Sequence, residues 1–175
     1  MSNEFKDLFG DWEPGDESFG PEGRNMPGEP ENLQPRELEE KEVRVLGVYE
    51  HAASGAGSSP QTFVLMQDPR ARKVFIYIGR FEAVAISMAI EGEVTERPMT
   101  HDLLKIFLDK LGATVDRVII DDIWHETFYA KITVVHEGRS FDIDCRPSDA
   151  IAIALRAKAP IFMAESVIKV SEQEI

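Results

Sequence analysis

A succession of three strand-like runs followed by apolar helices occurs twice in this chain, and that doubling restricts its fold more than any other feature. The first set is VRVLGVYE from Val43, QTFVLMQD from Gln61 and KVFIYIG from Lys73, all rich in the β-branched and aromatic side chains that suit a pleated surface. It leads into FEAVAISMAIEG, apolar nearly all round and closed by Gly92, which reads as a buried helix. A second helix is predicted over THDLLKIFLDKLG, with Leu103, Leu104, Phe107, Leu108 and Leu111 on its inner side and Gly112 as its stop. The second set is TVDRVIID, TFYAKITVV and RSFDIDC, with a hairpin turn at His136-Glu137-Gly138, followed by helix SDAIAIALRAK and a short apolar segment, PIFMAESVIKV. Glu82-Ala83-Val84-Ala85-Ile86 mirrors Asp149-Ala150-Ile151-Ala152-Ile153, each acid following the third strand of its half. The expected class is α+β, a duplicated βββαα motif of antiparallel meanders packed with helices rather than βαβ crossovers.

The strand grammar begins only at Val43. Residues 1–42 are rich in Gly, Pro, Glu and Asp, with too few aliphatic side chains to offset chain entropy, and read as a disordered acidic tail. Within it, Phe5, Leu8, Phe9 and Trp12 fall at helical spacing, which fits either a segment docking on a protein partner or an idle tail. The expected division is a tail over 1–42, one domain over 43–170 and a short tail over 171–175. Of the formal charge of −13, residues 1–42 carry −9, so the remainder is mildly acidic and compatible with a local basic groove. Cys145 is the sole cysteine, excluding an intramolecular disulfide and pointing to a reducing cytoplasm. No signal-peptide pattern and no apolar run of membrane-spanning length is present, so no membrane partner is expected.

Two arginine-proline turns, RPMTHD at 97–102 and DCRPSDA at 144–150, gather most of the reactive side chains at two predicted helix starts. A residue before proline is pushed toward extended backbone, and Thr100 or Ser148 can cap the helix that follows. Arg97 and Arg146 then flank helix N-termini, whose free N–H groups and partial positive charge suit phosphate. His101, beside Asp102, has the side chain type whose ordinary pKa fits a general base; the same pair could simply face solvent or help the cap. Asp142 and Asp144 share one face of a strand, opposite Phe141, Ile143 and Cys145. Asp144 with Glu82 and Asp149 offers the carboxylate oxygens that Mg²⁺ takes in phosphoryl-transfer sites, while a solvated Asp–Arg ion pair leaves the same pattern. Glu82 and Asp149 also suit the first turn of a helix for the dipole alone. The cluster Arg70, Arg72 and Lys73 reads as a solvated hairpin tip, Asp121 and Asp122 as the start of a turn, and Cys145 as an inert buried thiol.

Taken together, FIYIGRFEAVAISMAI, RPMTHDLL, FYAKITV and IDCRPSDAIAIALRAKAPIFM resemble the bifunctional nuclease domain family, over about residues 43 to 170. The resemblance implies the duplicated βββαα fold, and an activity that in some members cuts both DNA and RNA. It places Glu82, Arg97, Thr100, His101, Asp102, Asp144, Arg146, Ser148 and Asp149 at motif positions without assigning them roles. Cys145 replaces the alanine usual in that family, and His125-Glu126 replaces a more typical Asp-Gly turn. The expectation is a nuclease acting on nucleic acid, with His101 as acid or base, Asp102 orienting it, Arg97 and Arg146 stabilising phosphate charge, and Thr100 and Ser148 contacting substrate. Glu82, Asp144 and Asp149 would be open to a divalent metal such as Mg²⁺. The alternative is a non-catalytic module whose Arg-carboxylate pairs grip an anion or a partner, and the apolar helices suggest a homo-oligomer. In either case the two halves would meet at the site, with His101 as its asymmetric element, because RPMTHD has no twin in the second half.

Overall fold

The strand patterns become seven strands because alternate residues along them find a common core. In the computed structural model, which describes residues 39–51 and 60–172, the first meander is β1 (Glu40–His51), β2 (Gln61–Gln67) and β3 (Lys73–Ile78). Helices α1 (Arg80–Glu91) and α2 (Thr100–Lys110) follow. The second meander is β4 (Thr114–Trp124), β5 (Thr127–His136) and β6 (Arg139–Cys145), succeeded by α3 (Pro147–Ala157), β7 (Ile161–Ala164) and α4 (Glu165–Glu172). The class is α+β. The element order is βββαα in the first half and βββαβα in the second. The apolar stripe at residues 5–12 and most of the loop after His51 lie outside the described residues.

All strands share one sheet, in the order β3-β2-β1-β7-β4-β5-β6. The short segment β7 is its keystone, antiparallel to β1 through Glu40–Val43 and parallel to β4 through Val118–Ile120. Four residues are too few to show a strand period, and their role is visible only once both neighbours are in place. The same pairing draws Glu40, Lys41 and Glu42 into β1, although their composition belongs to the acidic stretch before them. At the other end α4 reaches Glu172, with Ser171 buried and donating its hydroxyl to the Val167 carbonyl.

The core lies between one face of the sheet and the helices. Val64, Met66, Val74 and Ile76 supply it from the first meander, Val118, Ile120, Ala130 and Ile132 from the second. Helix α3 is its centre, with Ala150 through Ala154 all buried, and both α1 and α2 pack against it. The other two helices are more open than their composition suggests. Only Ala83, Ala85 and Ile86 of α1 are buried, and Phe81 is 86% exposed. No residue of α2 is buried; Leu108 is partly covered by the core, while Leu103, Leu104, Phe107 and Leu111 stay open. Both helices sit at the margin of α3, so each uses one narrow stripe and leaves the rest of its apolar surface uncovered.

Two expectations for charged segments change. β4 continues through Asp121 and Asp122, and Asp121 accepts an ion pair from Lys131 at 2.7 Å. The turn falls instead at His125-Glu126, both with positive φ (47° and 63°), the two-residue hairpin geometry in which Asn-Gly is usually found. Glu137-Gly138 makes the same turn between β5 and β6. Arg72 is not a solvated tip: its guanidinium donates to both oxygens of Glu165 (2.9 and 2.7 Å) and to Asp68 (2.8 Å), fastening the β2–β3 turn to the start of α4. Residues so distant in sequence give no local signal of pairing.

Candidate functional site

Three helix N-termini meet through one chain of side-chain contacts. Each begins without a side-chain cap: Gly79 opens α1, Met99 opens α2 and Arg146 opens α3, all in extended backbone. Proline explains the last, since Pro147 at the first helical position bars its predecessor from helical backbone. Thr100 and Ser148 therefore sit inside the first turns and do not cap, contrary to the expectation from sequence. The third helical residue in each case is an acid, Glu82, Asp102 or Asp149, where the helix dipole favours negative charge.

Arg146 joins two of these acids. Its Nε donates to Asp149 Oδ2 at 2.7 Å and its Nη2 to Asp149 Oδ1 at 3.0 Å, while Nη1 reaches Glu82 Oε1 at 2.9 Å. A guanidinium has five N–H groups, so two remain for another oxygen. The Arg146 side chain is 65% exposed, against 27% for Asp149 and 22% for Glu82. On the far side of Asp149 lies His101, its Nε2 3.2 Å from Oδ1. Asp149, not its chain neighbour Asp102, thus faces the imidazole.

Asp102 is occupied elsewhere. Its Oδ2 accepts the Met99 N–H at 3.0 Å, and its Oδ1 takes the Nε–H of Arg156, which also donates through Nη1 to the carbonyls of Ala85 and Ala152, both at 3.0 Å. Arg156 thereby locks α1, α2 and α3 together directly behind the His101 turn. Sequence reasoning passed over this residue, and its only signal was a lone cation in the last turn of an otherwise apolar helix.

The electrostatics follow from these contacts. Burial works to raise the Asp149 carboxyl, but hydrogen bonds from Arg146 and His101 outweigh it and hold the group below the usual carboxylate range. Asp102 is likewise depressed, burial being outweighed by Arg156 and the Met99 N–H. Asp149 and then Glu82 raise Arg146. Burial, with Asp144 nearby, pushes the Cys145 thiol up to about 12, and its sulfur donates to the Ala130 carbonyl at 3.6 Å. An inert thiol was the expectation for this residue.

Gly79 has a specific part in the arrangement. A Cβ there would collide with Glu82 Oε2, so glycine leaves the space into which the Glu82 carboxylate folds back over its own helix start.

With this geometry in place, comparisons with known proteins identify the lineage. The model of the bifunctional nuclease domain matches residues 63–175, from β2 through the end of the chain and across every contact just described. The chain belongs to the bifunctional nuclease domain family. An uncharacterized protein of Mycobacterium tuberculosis is 35% identical over 128 residues, 73% of each chain. A rice protein named Bifunctional nuclease 2 is 30% identical over 115 residues, 63% of this chain and 35% of its own. Bifunctional nuclease 1 of Arabidopsis thaliana is 30% identical over 105 residues, 58% and 32% respectively. The match thus spans about a third of each plant protein.

Of the site residues expected from sequence, the structure brings Glu82, His101, Arg146 and Asp149 into one connected group. Arg97 stands exposed between α1 and α2 with no ion pair to its guanidinium among the described residues. Thr100 lies beside His101 on an apolar groove of about 340 Å³ under α2, lined also by Leu104, Ile143 and Cys145. Ser148 is buried next to Arg146 on a second groove, of about 320 Å³. Asp144 is not gathered in. Cys145 and Ile143 line the α2 groove together with Asp149, and strand alternation sends Asp144 to the opposite face, where its register partner is Lys131.

That separation bears on metal binding. Among the described residues no three His, Cys, Asp or Glu side chains come together in an arrangement able to hold a metal ion. Glu82, Asp144 and Asp149 do not form the expected trio, and a cation between Glu82 and Asp149 would have to replace the Arg146 guanidinium. The described residues therefore offer a divalent metal no ready three-donor site. No helix among the described residues is long and apolar enough to cross a membrane.

Proposed function

We propose that this protein hydrolyses phosphodiester bonds in nucleic acid at the Glu82–Arg146–Asp149–His101 group. The observation that carries the reading is the bidentate Arg146–Asp149 pair with His101 on the other side of the same carboxylate. A guanidinium with two unused N–H groups and an imidazole stand against one carboxylate where α2 and α3 begin, which supports the reading in a family two of whose plant relatives are named bifunctional nucleases.

Asp149 orients the imidazole through Nε2 and supports the positive charge the ring gains on taking a proton. The other nitrogen, Nδ1, makes no hydrogen bond among the described residues and is the atom that exchanges a proton with the nucleophile. Arg146 holds the non-bridging phosphate oxygens with its two unused N–H groups, opposing the charge that builds as the new P–O bond forms and the old one breaks. Glu82 fixes the guanidinium, and Asp102 with Arg156 fixes the turn that carries His101; these are positioning residues.

The test is hydrolysis of single-stranded DNA and RNA by purified wild-type, His101→Ala and Arg146→Ala proteins. Loss of about a hundredfold or more in both variants is expected. Equal activity in all three preparations would trace the cleavage to a contaminant and leave the Arg-carboxylate pairs as structural ties or anion grips.

A further inference from the structure

The face of the β1–β2–β3 meander that points away from the core carries aromatic rings that core packing does not use. Strand register arranges that face in three rows running across all three strands: Arg44–Gln67–Lys73, Gly47–Leu65–Phe75 and Tyr49–Phe63–Tyr77. The intervening residues, such as Val64, Met66, Val74 and Ile76, are those buried on the other side. A sheet face turned from the core is ordinarily polar, and here it is not.

Phe63 is the hub of the cluster. Its ring centroid lies 5.9 Å from Tyr49 in a stacked pair, 5.3 Å from Phe75 and 5.8 Å from Tyr77 in an edge-on pair. Tyr77 is 61% exposed and Tyr49 about half exposed. A Cβ on Gly47 would come 3.1 Å from the Tyr49 ring, so the glycine lets that ring lie close over the backbone. The charged side chains of the three rows are Arg44 and Lys73, with Glu42 next along β1 beside Arg44. The face is also continuous with the site. Tyr77, Gly79, Glu82, Arg146 and Ser148 line one groove of about 320 Å³, so the platform's edge and the Arg146 site share one surface depression.

We infer that this face binds a single-stranded nucleic acid, its unpaired bases stacked on Tyr49, Phe63, Phe75 and Tyr77 and its phosphates met by Arg44 and Lys73. From there the strand passes Tyr77 along the groove to Arg146, a path that rests on the reading of Arg146 and His101 as the hydrolytic site. Exposed rings on a sheet accept the faces of bases in any sequence, and flanking cations follow the backbone. A duplex keeps its bases paired and cannot offer them to such a surface.

Binding and chemistry separate in the test. Fluorescence anisotropy of a short labelled oligo-uridine strand and its oligo-deoxythymidine counterpart is measured in the His101→Ala background, so that the probe survives. Tyr77→Ala and Phe63→Leu are each expected to weaken binding on the order of tenfold, and Lys73→Glu to weaken it with reduced salt dependence. Loss on either strand type supports the platform and shows which sugar it accepts. Hydrolysis of the small diester bis(p-nitrophenyl) phosphate, which carries no nucleobase, is followed in parallel in the protein without the His101 change as the separate reading of diesterase activity. Wild-type affinity in Tyr77→Ala and Phe63→Leu, each with an unchanged thermal melt, overturns the inference whatever the diesterase result. So does loss of concentration-dependent self-association in those variants without loss of strand binding, which would make the face a contact between copies. Strand binding that depends on the rings in a protein with no diesterase activity would instead overturn the proposed hydrolysis and leave the platform standing.

Discussion

Two arginines in this protein each sit between two carboxylates, and they serve different ends. Arg72 joins Asp68 to Glu165; Arg146 joins Asp149 to Glu82. Distances and donor use are nearly the same. What differs is water: the Arg72 side chain is 14% exposed and its partners are almost wholly covered, whereas Arg146 is mostly open and has His101 beyond its partner. A buried guanidinium is a staple, because its desolvation is recovered only by staying paired. An open one with spare N–H groups can take up a third anion. Identical residue types therefore part company on burial and on what stands next to them.

That contrast can be broken experimentally, and activity carries the largest effects. Arg146→Ala is expected to lower phosphodiesterase kcat/KM by about a hundred- to a thousandfold while changing stability by no more than about 1 kcal/mol, since exposed ion pairs contribute little. Kinetics and a chemical melt on one preparation check both halves of the statement. Arg72→Ala should do the reverse, costing roughly 3 kcal/mol in urea unfolding because it strands covered carboxylates, with the activity of the folded fraction retained. A strongly destabilised Arg146→Ala with normal turnover would invert the assignment.

Acid separates the two clusters as well. The Arg72 hydrogen bonds hold Glu165 down at about 2, and Asp68 is depressed too, the same arginine outweighing the effect of burial. Carboxylates with a lowered folded pKa give stability that is present above their ordinary range near pH 4 to 4.5 and is lost as pH falls toward 2. The melting temperature of the wild type should drop through that window, and the drop should be shallower in Arg72→Met. An equal slope in both proteins would mean other carboxylates set the acid limit.

The smallest expected effect is at Gly79. Alanine there pushes the Glu82 carboxylate off its position, so Arg146 loses one of its partners. A few-fold fall in diester hydrolysis with little change in melting temperature would place Glu82 as a positioning group. Unchanged kinetics would show that Asp149 alone suffices to hold the guanidinium.

Much of the fold was legible beforehand because it rests on local periodicity. The six meander strands, helices α1 to α3 and the Glu137-Gly138 turn all follow from alternation, apolar spacing and glycine. β7 was not legible, since a four-residue strand becomes one only when β1 and β4 flank it. Nor was the exposure of α2: its apolar stripe is real in sequence, but α3 had already taken the centre of the core. At the site, Glu82, His101, Arg146 and Asp149 stood out by type and position, whereas the pairing of His101 with Asp149 rather than Asp102 did not. In helical geometry neighbours point apart, so adjacency in sequence is poor evidence of contact. Asp144 failed for the complementary reason, as a strand sends it to the face opposite Cys145.

Sequence alone determined the class of fold, the helix starts and the stock of reactive groups, because each depends on the spacing or type of residues within a few positions of one another. Tertiary structure alone decided which arginine is covered and which is open, which acid meets the histidine, and that a row of rings remains outside the core. Those are properties of distance and water across segments far apart in the chain, and they arise only when β7 draws the two meanders into one sheet.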